Sequence, residues 1–182
     1  MIFSPIADTP LITQGFGQNP DIYSGYGYDG HNGIDFGCPV GTKIYAPHDG
    51  TATVVNDGDS GYGLHIVITD AKRKSVLAHL SGTLVQNGQT IYQGDPVALS
   101  GESGQCTGPH LHWTYKIMKN GQVQNQNNGY DGAMDVTEYT RLWGDKDMHY
   151  DSDYTDDAKP YLDMTFAGNQ YLDNPERPVA IA

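Results

Sequence analysis

His110-Leu111-His112 sets two imidazoles at i and i+2, a spacing that on a strand puts both on one face about 6–7 Å apart. One can then bind a metal while the other reaches a substrate; both on one ion would strain an extended strand. Alone, such a pair reads equally well as two surface side chains. His31-Asn32-Gly33-Ile34-Asp35 sets an imidazole and a carboxylate four residues apart. In a regular strand they would stand roughly 13 Å from each other, too far to share an ion with bonds near 2 Å. The chain has to bend, and Asn32-Gly33 is where it can; the competing reading is an exposed turn with an incidental pair. Together, His31, Asp35 and His112 suit Zn²⁺, with two borderline-soft nitrogens, one carboxylate and a fourth position for water. An open position points to catalysis, and with a carbonyl polarised by such an ion peptide hydrolysis needs only a base and a donor nearby. His110 is the candidate base and His79 the candidate donor.

These residues need rigid neighbours, and the pattern around them is that of β-structure. Apolar and β-branched residues recur in short runs, with no sustained 3.6-residue period before about residue 135. Candidate strands are 43–46, 50–55, 64–69, 75–80, 96–100 and 110–117, which places His79 within one strand and the His110/His112 pair at the start of another. Between them, Asp57-Gly58-Asp59-Ser60-Gly61, Asn87-Gly88 and Lys119-Asn120-Gly121 supply tight-turn conformations at low cost. The 23 Gly and 10 Pro in 182 residues argue against long helices. The expected fold is mainly β: an antiparallel sheet domain with few short helices.

Composition removes whole classes of function. With 22 Asp+Glu against 10 Lys+Arg the formal charge is −12, so neither a nucleic-acid partner nor an anionic membrane surface is expected. Apolar stretches such as Ile66-Val67-Ile68 fall far short of the roughly 20 residues of a membrane span. No Lys or Arg precedes Lys43, and Pro5, Asp8 and Pro10 interrupt any apolar run, so the first 30 residues do not read as a secretory signal. From Gly144 onward the alternation fades. Residues 144–182 hold nine acidic and three basic residues, a net −6, and read as an irregular acidic extension of a domain spanning 1–143. The aspartate spacing there resembles the start of an EF-hand loop but lacks its glycine and closing Glu.

The motifs in combination resemble the lysostaphin-like zinc metallopeptidases: Gly30-His31-Asn32-Gly33-Ile34-Asp35-Phe36, then Tyr45-Ala46-Pro47 to Asp49-Gly50, then Ala78-His79-Leu80, and Thr107-Gly108-Pro109-His110-Leu111-His112-Trp113. The order and spacing of these blocks fit that family. The resemblance implies an antiparallel β domain with a narrow groove that hydrolyses peptide bonds in bacterial peptidoglycan. It matches His31, Asp35 and His112 to the ligands of one zinc ion, and His79 and His110 to the two non-ligand histidines of the reaction centre. Members that lose ligands act as binding or activating modules, so a non-enzymatic wall-binding or regulatory module is the alternative. A wall hydrolase without a signal fits a phage lysis or virion-associated enzyme, or a bacterial protein exported by another route.

The remaining candidates read as ordinary. His48, His65 and His149 are expected to be non-catalytic. Tyr23, Tyr26 and Tyr28 precede His31 closely enough for one of them to assist an oxyanion. Cys38 and Cys106 each flank a segment that must reach the same metal, so they either form a disulfide, worth about 4 kcal/mol in the loop-entropy account, or stay as two thiols near the groove.

Overall fold

The computed structural model describes residues 2–7 and 11–141. Thirteen strands follow one another: β1 Ile2–Phe3, β2 Leu11–Gln14, β3 Ile34–Gly37, β4 Lys43–Tyr45, β5 Gly50–Asn56, β6 Leu64–Thr69, β7 Arg73–Ala78, β8 Leu80–Thr83, β9 Thr90–Ile91, β10 Pro96–Ser100, β11 His110–Lys119, β12 Gln122–Val123 and β13 Thr140–Arg141. One four-residue helix, α1, spans Pro20–Tyr23. The main sheet runs β2-β3-β11-β7-β6-β5-β9 with β12 paired to β11, and a second sheet runs β4-β10-β8. Every pairing in these two sheets is antiparallel; β1 and β13 form a separate parallel pair. This is the mainly antiparallel fold expected from the alternation of the sequence. The acidic extension 144–182, with His149, lies outside the described residues, and among those described no helix is long and apolar enough to cross a membrane.

Strand β11 organises the molecule because its two faces do different work. Successive side chains alternate, so Leu111, Trp113 and Tyr115 enter the core, while His110, His112, Thr114 and Lys116 share the opposite face. Its neighbours keep the same division. Ile34 and Phe36 of β3 pair with Trp113 and Leu111, and Asp35 pairs with His112; Leu77 of β7 pairs with Trp113. Ile66 and Ile68 of β6 extend the buried layer, which Ile44, Leu80 and Ala98 of the second sheet join as one apolar cluster. The Asn120-Gly121 turn behaves as its residues predict: both adopt positive φ, 53° and 75°, and they close a two-residue hairpin between β11 and β12.

One expected strand is broken. Residues 75–80 do not run straight, because His79 sits at φ 62°, in the left-handed region that His tolerates better than most side chains. The chain pivots there from β7 of the main sheet to β8 of the second. The His79 N–H donates to the Tyr62 carbonyl at 3.0 Å, so the pivot exchanges a ladder bond for a loop bond.

His48 has a structural place within this core. It is fully buried, its Nδ1–H donates to the Asp49 carbonyl at 2.7 Å, and its Nε2 accepts from the Ser75 hydroxyl at 2.9 Å. The Ser75 oxygen in turn accepts from Trp113 Nε1 at 3.2 Å. His65 is also buried, on β6, with its Nδ1 donating to the Gly63 carbonyl at 3.0 Å.

Candidate metal and catalytic site

The fold brings His31, Asp35 and His112 together. Asp35 Oδ1 stands 2.9 Å from His112 Nδ1 and 3.2 Å from His31 Nε2, and the two nitrogens are 2.9 Å apart. Donors held about 2.0–2.1 Å from a tetrahedral ion stand near 3.3 Å from one another, so this triangle fits one small cation with little adjustment. All three residues are buried. Two imidazole nitrogens and a carboxylate oxygen form a donor set of the kind zinc takes in catalytic sites.

Each residue of the triangle is aimed by a different device. Register aims Asp35, the direct partner of His112 across β3 and β11. His31 lies just before β3 and is clamped by the main chain: its carbonyl accepts from Gly17 N–H at 2.8 Å and its own N–H donates to Gln18 at 2.9 Å. Its Nδ1–H donates to the Gly15 carbonyl at 3.1 Å, which leaves Nε2 bare toward the triangle. Asn32 and Gly33 bend just before β3, as the sequence suggests, and Gly33 also acts by close approach. A Cβ at that position would lie 2.6 Å from His112 Cε1 and 2.6 Å from the Trp113 carbonyl oxygen. Gly33→Ala is therefore expected to destabilise the protein by about 1–3 kcal/mol through overpacking and to weaken zinc retention. Thermal midpoint and metal content check this; native values for both would contradict it.

His79 and His110 flank the triangle with their rings 4.7 Å apart. His110 Nε2 is 3.7 Å from Asp35 Oδ1. Main-chain carbonyls set both tautomers, since a carbonyl only accepts: His79 Nδ1–H donates to Ser103 at 2.8 Å, and His110 Nδ1–H donates to Gly108 at 2.8 Å. Both therefore present Nε2 lone pairs. The face can collect a cation, bind a water or carbonyl beside it, and receive a proton on a neighbouring imidazole.

Electrostatics follow from burial and these contacts. Burial alone would raise the Asp35 carboxyl, but hydrogen bonds and charge from His112 and His31 outweigh it and hold Asp35 well below the usual carboxylate range. Burial lowers His112 despite its bond to Asp35. His79 is lowered to about 4 by burial, with His112 and His110 adding to the effect. His48 is lowered to about 4 by burial and then by Arg73. Unfolded histidines take up protons near pH 6.5, and the native His48 and His79 refuse them until about pH 4. The unfolded chain thus binds more protons in that window, so stability falls as the pH drops through it. The metal-free protein is expected to melt about 5–10 °C lower at pH 5 than at pH 7.5, as calorimetry at the two values would show; a constant midpoint would contradict it.

Of the three tyrosines, Tyr23 alone packs on a residue of the triangle, its ring 5.2 Å from His31. Burial and then the Asp35 charge raise it, so it stays a phenol. Tyr26 is exposed and bonds Gln105 at 3.3 Å; burial likewise raises Tyr28. Cys38 and Cys106 are free thiols, not a disulfide. Cys38 packs against the core and Cys106 Sγ lies 3.8 Å from the Ser103 carbonyl. Tyr62 and Thr114 escape the sequence reading as site residues, and Asn32 enters it only as part of the bend. Tyr62 stacks 5.2 Å from His112, and no histidine-like spacing marks any of the three.

Fold and site define a buried His/Asp/His cluster that could hold one metal ion, with two further imidazoles beside it. The chain belongs to Peptidase family M23, whose profile matches residues 29–126. It is 36% identical over 83 residues to the peptidoglycan DD-endopeptidase ShyB of Vibrio cholerae, covering 46% of this chain and 20% of that one. A zinc-containing peptidase from Vibrio cholerae superposes with a TM-score of 0.56 at 28% identity, over 75% of this chain and 39% of that one. Lysostaphin from Staphylococcus simulans shares the fold, with a TM-score of 0.57 at 23% identity, over 71% and 48% of the two chains. The chain spans about a fifth of the length of the curated relatives it matches.

Proposed function

We propose that this protein is a zinc-dependent endopeptidase that hydrolyses peptide bonds in the stem peptides or cross-bridges of bacterial peptidoglycan. The observation that carries the reading is the buried His31–Asp35–His112 triangle with the Nε2 lone pairs of His79 and His110 on the same face. Likeness to a peptidoglycan DD-endopeptidase and to a zinc-containing peptidase supports the substrate and the metal. In this reading residues 1–143 are the peptidase domain and 144–182 an acidic extension. The enzyme acts at the wall on its extracellular or periplasmic side.

His31, Asp35 and His112 would hold one zinc ion, which when bound supplies Lewis acidity to the scissile carbonyl and to the attacking water. His110 takes the water proton on Nε2 and returns it to the leaving amine. Asp35, 3.7 Å away, stabilises the imidazolium that His110 becomes. His79 has no such anion in contact and is kept neutral by burial, so its lone pair orients the water. The donor role expected of His79 from sequence would require a proton that its surroundings disfavour. In this reading the Tyr23 phenol, whose ring lies 5.2 Å from His31, donates to the developing oxyanion instead. Purified cell walls incubated with zinc-loaded and with chelated protein test the reading: soluble fragments are expected with zinc alone. Wall binding without release in both samples would select a non-enzymatic module.

A further inference from the structure

The histidines of the site lie between two walls, and each wall is tied within itself. One consists of loops 15–31 and 124–134: the Asp29 N–H donates to the Gly129 carbonyl at 2.8 Å, and the Phe16 and Tyr130 rings lie 4.5 Å apart. The other consists of loops 57–63 and 101–109. There the Gln105 N–H donates to the Gly61 carbonyl at 2.9 Å, and the N–H of the following Leu64 donates to the Ser103 hydroxyl at 3.0 Å. Gly63 and Gly104 meet so closely that a Cβ on either would strike the other's main chain. The first wall ends in His31 and lays Tyr23 on it; the second supplies the Ser103 carbonyl that holds His79 and leads into His110. Two hydrogen bonds pass from wall to wall. Low in the site, the buried Asn32 donates from Nδ2 to the Tyr62 hydroxyl at 2.9 Å. At the surface, the Tyr26 hydroxyl donates to Gln105 Oε1 at 3.3 Å, and both of these residues are exposed.

We propose that the Tyr26–Gln105 bond is a strap over the substrate groove, so that these two residues determine how readily the enzyme takes a peptide anchored at both ends. The proposal rests on the peptidoglycan reading above. A peptide lying between His31 and His79 passes beneath the strap and above the Asn32–Tyr62 bond, through a ring closed by the two walls. A peptide with a free end can thread such a ring. A cross-link in an intact wall cannot, because each of its ends is fixed to a glycan strand; for it the strap has to part and re-form. The residues suit that movement. Tyr26 stands between Gly25 and Gly27, the latter at φ 82°, and a Cβ on either glycine would meet nothing within 4 Å, so the segment can swing without collision. Gln105 is the fixed post, since its own N–H is held by Gly61. A neutral hydrogen bond between two exposed side chains is weak enough to break, yet shifts an open-to-closed ratio about 2–10-fold. Both residues act on entry, not on the bond that is cut.

The test compares two substrates that carry the same cross-links: intact purified sacculi, and cross-linked peptide dimers cut free of their glycan by an amidase. The zinc-loaded full chain is assayed on both. The readout is the ratio of the sacculus rate to the dimer rate, in which any change in chemistry common to the two cancels. Tyr26→Phe removes the donor and keeps the ring, and is expected to raise the ratio about 2–10-fold. Gln105→Glu replaces the acceptor by a carboxylate, which takes a hydroxyl's hydrogen bond roughly twice as strongly, and is expected to lower the ratio. An unchanged or lowered ratio in Tyr26→Phe overturns the strap, as does an unchanged or raised ratio in Gln105→Glu. Native protein that cleaves neither substrate overturns the peptidoglycan reading itself, a result distinct from these.

Discussion

Asp35→Ala is expected to take zinc content from one ion per chain to near zero and to lower wall hydrolysis about 10³-fold or more, since without the metal the water and carbonyl lose their activation. Asp35 is the hub of the site. Its Oδ1 meets His112 Nδ1 at 2.9 Å, His31 Nε2 at 3.2 Å and His110 Nε2 at 3.7 Å. It also supplies the only negative charge of the triangle. Without it two neutral imidazoles remain in a buried pocket, and nothing there balances a dication or the imidazolium on His110. Elemental analysis after zinc reconstitution and dialysis, alongside fragment release from purified walls, checks both halves. Retained stoichiometric zinc would mean that the metal is held elsewhere.

His110→Ala is the second large effect, and it separates proton transfer from metal binding. The residue sits beside the triangle but is not part of it, so zinc stoichiometry is expected to remain at one while kcat falls about 10²–10⁴-fold, the range for a lost general base. A smaller fall in kcat is expected in His79→Ala, because of the two only His110 has the Asp35 carboxylate within 3.7 Å to stabilise an acquired proton. A larger fall with His79→Ala than with His110→Ala would reverse the two roles.

The parts of this molecule legible in its sequence are those written in local pattern. Strands β6 and β10 coincide with the alternating runs 64–69 and 96–100, because β-branched runs bounded by turn residues leave little choice. The Asn120-Gly121 hairpin is equally local. The five residues His31, Asp35, His79, His110 and His112 converge as their motifs suggest, since an HxH pair on one strand and a carboxylate on its neighbour need only correct register. The pivot at His79 was not legible: Leu77-Ala78-His79-Leu80 reads as continuous strand, and the loop carbonyls of Tyr62 and Ser103 that hold the ring and its backbone lie 17 and 24 residues away. The bend at Asn32-Gly33 was legible, but that Gly33 also leaves the gap for an imidazole is something only the packing of His112 reveals. Tyr62 and Thr114 reach His112 from separate segments without a shared spacing. Strand β2, with Leu11 and Ile12 exposed, shows no inward-outward alternation by which an edge strand could be read.

The most direct test of the central claim is to identify the bond broken. Purified sacculi digested by the zinc-loaded full chain would be analysed by mass spectrometry for newly freed amino groups and for glycan reducing ends. The account predicts new amino termini within stem peptides or cross-bridges and intact glycan strands. Glycan reducing ends in their place, or no new amino groups from walls of several cross-link chemistries, would contradict it.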